Sequence, residues 1–199
     1  MQKNLITVVL LLVLAGCSAR NAHDLRSRTE PPEKCADYVH EYLRHNPSLL
    51  ARDGDRTVKA PAEDSAVAQQ YPDFRDKGPV RNGQRITIMT AQSAYRVGEM
   101  VRVVHVLEAP EPGHEIYVMG PKPIENEFVD GKLASPERTG LVGYDGRVGK
   151  SPGVDFNYEV STYTFDTPGE HAIQWKGGGH PIQGDLKLES NVLHIVVRK

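Results

Sequence analysis

From Arg85 to the C-terminus, apolar residues recur at every second position, and this alternation restricts the fold more than any other feature. RITIMTA, EMVRVVHVLEA, HEIYVMG, YEVSTYTFD, EHAIQWK and LKLESNVLHIVV each read as a strand, because a period of two sends alternate side chains to opposite faces. In EMVRVVHVLEA, Val101, Val103, His105 and Leu107 form one set. Met100, Arg102, Val104, Val106 and Glu108 form the other, a mixture expected on a partly wet face. Turn signals at Arg96–Glu99, Glu111–Gly113 and Thr167–Gly169 separate the runs. No helical period intervenes, which disfavours parallel βαβ units. Residues 85–199 are therefore expected to form a mainly β, antiparallel sandwich.

Upstream the pattern differs. Residues 33–46 place Cys35, Tyr38, Val39, Tyr42 and Leu43 on one helical face, with Pro31 and Pro32 before it and Pro47 after it. A helix this short is marginal alone, so its apolar face is expected to dock on the downstream domain. Residues 47–84 lack sustained periodicity and read as an irregular linker, with a short helix near Ser65–Tyr71. Residues 17–32 are polar and read as a tether. Lys+Arg (24) nearly balance Asp+Glu (26), which leaves no electrostatic footprint for nucleic acid. Two cysteines cannot supply a disulfide framework, so a hydrophobic core must hold the fold.

The chain opens MQKNLITVVLLLVLAGCSAR. Lys3 is followed by an apolar run from Leu5 to Ala15, which as a helix rises about 16 Å, half the roughly 30 Å that a spanning helix must cross. Residues 1–16 thus read as an export signal. Leu14-Ala15-Gly16-Cys17 resembles the lipobox of bacterial lipoproteins. The resemblance implies cleavage before Cys17, a thioether-linked diacylglycerol on its sulfur and an acyl chain such as palmitate on its amino group. Several acyl chains give lasting anchorage where one does not. Ser18 in the sorting position implies the outer membrane, with the periplasmic or surface face left open.

A second resemblance lies near the C-terminus. Tyr163-Thr164-Phe165-Asp166-Thr167-Pro168-Gly169-Glu170-His171 is similar to the tight corner of bacterial immunoglobulin-like domains, and Ser190–Val197 to their last strand. It implies an immunoglobulin-like sandwich and nothing specific about activity. The paired core cysteines of antibody domains are missing, and Trp175 falls late in the chain.

Candidate chemistry is sparse. The eight histidines include no HxH or HxxxH pair, so no metal or other cofactor is expected. His180, between Gly177–Gly179 and Pro181, is the best single candidate ligand, while His105, His171 and His194 read as strand residues. No GxSxG elbow occurs, and Cys35 lacks a thiol-protease signature. The Glu125/Glu127 pair is a commonplace loop feature. Gly120–Asn157, rich in Gly and Pro, is expected to be a decorated loop with a short strand at Glu127–Val129. Charged and aromatic tips for an interface are expected at Lys122, Glu125, Glu127, Arg138, Tyr144, Arg147 and His180. Tyr144, Arg147 and His180 are the principal candidates for partner binding, with Cys17 for lipidation. The expected function is that of a non-enzymatic, lipid-anchored envelope protein presenting its sandwich to an envelope protein or glycan. The alternative is a periplasmic inhibitor or immunity-type lipoprotein that blocks a hydrolase or toxin.

Overall fold

The computed structural model describes residues 36–53, 56–118, 120–134, 147–177 and 188–199. The signal, the tether and Cys35 lie outside them. Helix α1 (Asp37–His45) leads to strands β1 (Leu50–Asp53) and β2 (Arg56–Lys59), helix α2 (Ala62–Gln69) and a 3-10 turn at Tyr71–Asp73. Strands β3 (Arg85–Met89), β4 (Ala94–Arg96), β5 (Met100–Ala109) and β6 (Glu115–Val118) follow. Next come β7 (Glu127–Val129), β8 (Lys132–Leu133), β9 (Arg147–Lys150) and β10 (Gly153–Asp155). The chain closes with β11 (Ser161–Thr164), β12 (Gly169–Lys176) and β13 (Glu189–Arg198).

The chain is mainly β. In one sheet β5 pairs antiparallel with β3 and successively with β10 and β11. The other sheet runs β4-β13-β12-β7-β8, with β4 parallel to β13 and the remaining neighbours antiparallel. The two sheets share one core: Ile86, Ile88, Val101, Val103 and Leu107 meet Ile173, Trp175, Leu193, Ile195 and Val197. Asn191 on β13 stitches the sheets together. Its Oδ1 accepts from Ile88 N at 2.9 Å, and its Nδ2 donates to Ile88 O at 3.0 Å. Pairing backbone groups across layers in this way leaves neither partner dry and unsatisfied. A further antiparallel pair, β6 with β9, branches from the excursion between β5 and β10.

From Val103 onward strand β5 is buried on both faces, and the expected wet face is confined to its start, where Met100 is exposed and Arg102 partly so. Val104 and Val106 point away from the inter-sheet core into a second cluster with Val39, Leu43, Val67, Tyr71 and Phe156. The charged members of that face find partners within the covering layer. Arg102 Nε and Nη2 each donate to Asp64 of α2 at 2.7 Å, a two-pronged geometry suited to guanidinium and carboxylate. Val39 and Leu43 fix α1 to the same layer. Each fully buried aliphatic side chain contributes about 1.5–3 kcal/mol relative to exposure, which suffices to hold a nine-residue helix that would not persist alone.

Residues 47–84 correct the expectation of an irregular linker. Besides α2, which answers to the short helix expected near Ser65–Tyr71, they hold a hairpin and the 3-10 turn. The elements escape a periodicity search for definite reasons. Strand β2 is exposed throughout, and the buried face of α2 consists of Asp64, Val67 and Ala68, not an apolar stripe. The segment ends pinned to β3, where Gly78 N donates to Thr87 Oγ1 at 3.1 Å. A Cβ on Gly78 would lie 1.9 Å from the Ile86 carbonyl oxygen, so only glycine passes.

Candidate functional site

Among the described residues strand β11 pairs with β5 alone. Beside it lies a groove of about 260 Å³ lined by Ile124, Ala134, Glu159, Val160, Ser161, Thr162 and Tyr163. Ile124, Ala134 and Val160 supply apolar wall, the three hydroxyl residues supply donors and acceptors, and Glu159 supplies a charge. An edge strand next to a concave, mostly neutral surface is suited to an added strand held by main-chain hydrogen bonds.

The groove rests on a buried polar cluster. Tyr163 donates from its hydroxyl to Glu127 Oε2 at 2.5 Å, and His105 Nε2 lies 2.7 Å from Glu127 Oε1. Both His105 and Glu127 side chains are fully buried. Burial pushes the Glu127 carboxyl up, but the charge and hydrogen bond of His105, with the hydroxyls of Ser161 and Tyr163, outweigh it and leave it lowered. Burial and the neighbouring Glu127 raise the Tyr163 phenol, which therefore stays protonated as a donor. His105 packs edge-on against Trp175 at 5.2 Å, and its buried Nδ1 has no hydrogen-bond partner among the described residues. Ser161 hydrogen-bonds the carboxylate and not the imidazole. A nucleophile, base and acid in series would require the reverse order. The cluster positions β11 against β7.

Two further acids are buried on the opposite side of β5 and at its end. Glu108 accepts from Tyr38 and Tyr71 hydroxyls and from Arg85 Nε, each at 2.5 Å. Burial raises its carboxyl, and the bond and charge of Arg85 together with the two phenols override this and hold it lowered. Asp155, fully buried, pairs with Lys122, whose Nζ stands 4.3 Å over the Tyr158 ring.

Of the residues singled out from sequence, Cys17, Arg138, Tyr144 and His180 lie outside the described residues. Arg147 begins β9 opposite Val118, and only its backbone is described. Glu125 is exposed. Lys122 and Glu127 are not interface tips: both are buried, Lys122 beside Asp155 and Tyr158, and Glu127 beside His105 and Tyr163. Sequence reasoning missed the groove. Its one legible signal was the neutral, hydroxyl-rich run Ser161–Thr164 in a chain that otherwise mixes charge into its strands. Among the described residues, no three His, Cys, Asp or Glu side chains gather in a way that could hold a metal ion. A scan against protein-family models, a search of curated proteins and a search of solved structures find no match to this chain.

Proposed function

We propose that this chain is a non-enzymatic, lipid-anchored envelope protein whose immunoglobulin-like body binds an extended segment of an envelope protein in the groove beside β11. The groove along a strand edge that is unpaired among the described residues is the observation that carries the reading. The immunoglobulin-like assignment is supported by the order of strands. Strands β3, β5 and the successive β10 and β11 share one sheet, while β7, β12 and β13 are neighbours in the other, a division comparable to that between the A, B, E and C, F, G strands of such sandwiches. Anchorage is supported by Leu14-Ala15-Gly16-Cys17. A bound strand gives affinity through backbone pairing and specificity through side chains on the groove wall, which favours a peptide segment over a glycan.

Two substitutions test the two halves separately. Cys17→Ser removes the thiol needed for the thioether, so unprocessed precursor should accumulate on immunoblots. Mature protein extracted with the membrane fraction would contradict the anchor. Thr162→Lys places a charge on the exposed edge, the device by which natural sheets prevent strand addition. Chemical crosslinking to envelope partners should fall at least about tenfold, equivalent to roughly 1.4 kcal/mol, while unfolding stability shifts by no more than about 0.5 kcal/mol. Undiminished crosslinking would remove the groove from recognition.

A further inference from the structure

We propose that Lys122 and Asp155 are a condensation pair whose side chains join in an intramolecular amide, linking the segment before β7 to β10. The geometry is set by the backbone. Lys122 N donates to Asn157 O at 2.9 Å and Glu159 N donates to Lys122 O at 2.7 Å, so Lys122 is locked in register beside residues 157–159. Its Nζ then donates to Asp155 Oδ2. The other carboxylate oxygen, Oδ1, accepts from Asn157 N at 3.0 Å and faces the Tyr42 hydroxyl at 3.5 Å. Tyr158, 7% exposed, closes the site from water beneath the amine.

These contacts favour amide over ion pair. Two opposite charges held away from water carry a desolvation cost that their attraction repays only in part, and condensation removes both charges. Held side by side, the reacting groups have already lost the freedom that an intermolecular reaction would still have to give up. Burial lowers the Lys122 ammonium to about 7, so free amine is present near neutrality. One ammonium proton passes to Oδ2, and the freed amine adds to Cγ. Negative charge that develops on Oδ1 meets the Asn157 N–H and the Tyr42 hydroxyl, donors already in place. The Cγ–Oδ2 bond then breaks as Oδ2 takes a second amine proton and leaves as water. The third proton remains on the amide nitrogen. Nothing is oxidised or reduced, and no co-reactant is consumed. The product ties together residues 33 apart in sequence and restricts the unfolded chain as any crosslink does.

Tryptic digestion of the full-length chain under denaturing conditions reads the bond directly. Lys122 precedes proline and is not cut, so the relevant peptides are 103–132 and 151–176. The expected result is a single branched species equal to their summed mass less one water, with fragment ions locating the link at Lys122 and Asp155. In Lys122→Arg, which keeps the charge but cannot condense under these conditions, the two linear peptides should return at full mass. Recovery of both linear peptides from the wild-type chain would overturn the proposal. So would a water loss confined to peptide 103–132, which marks succinimide at Asp130-Gly131, or a branched species that survives in Lys122→Arg.

Discussion

Glu108→Ala is expected to destabilise the chain by about 3–5 kcal/mol, the usual cost of removing one partner from a buried ion pair. Glu108 is 2% exposed, and its carboxylate accepts from Arg85, Tyr38 and Tyr71. Removing it leaves the Arg85 guanidinium, itself buried, facing two phenols that can no longer donate to a charge. The damage should spread to the covering layer, because Tyr38 belongs to α1 and Tyr71 to the 3-10 turn. Tyr38→Phe isolates one of these bonds, and a hydrogen bond to a charged group contributes about 1.5–3 kcal/mol. Urea unfolding of both variants, with proteolysis of the α1 segment, checks the account. A Glu108→Ala loss below about 1 kcal/mol, well under the range for surface-distant buried pairs, would mean that the pair contributes little.

Glu127→Ala should cost a similar amount, about 3–5 kcal/mol, and it should also disturb the groove. It strands His105 in the core against Trp175 and deprives Tyr163 of its acceptor. Both Glu108 and Glu127 have folded-state pKa values lowered by their donors. A lowered carboxyl contributes stability that is fully present above its unfolded value, about 4.3. That contribution is lost as pH falls through the lower folded value. Stability should therefore be nearly flat with respect to these acids at neutral pH and drop steeply below about pH 4. In Glu127→Gln the drop should be shallower than in wild type. An acid limb unchanged by this substitution would show that Glu127 is not ionised in the folded chain.

The strands legible in the sequence are those with two alternating residue sets and a core to fill. All six runs from RITIMTA to LKLESNVLHIVV contain strands, and β7 falls at Glu127–Val129 as expected. Helix α1 was legible because Val39 and Leu43 recur at helical spacing. What remained hidden was hidden for physical reasons. Strands β4, β8 and β10 are three residues or fewer, too short for any period, and the equally short β7 was placed without one. The second face of β5 looked wet because Arg102 and Glu108 are charged, and their partners Asp64, Tyr38 and Tyr71 lie 37 to 70 residues away. The same distance effect concealed the clusters at Glu127 and Asp155. A carboxylate in a Gly- and Pro-rich segment reads as solvated until the donor that buries it is known. The groove joins β11 and the residues before it to Ile124 and to Ala134 after β8, segments whose adjacency no local pattern encodes.

We propose that the anchored chain engages its partner along β11. A photoreactive amino acid placed at Thr162 in the full-length chain, activated by light in intact cells, tests this most directly. Val97, exposed at the turn between β4 and β5, serves as the control position. A discrete higher-mass adduct is expected from Thr162, absent from Val97 and lost when the same chain carries Cys17→Ser. Adducts equal at the two positions, or none at Thr162, would contradict it.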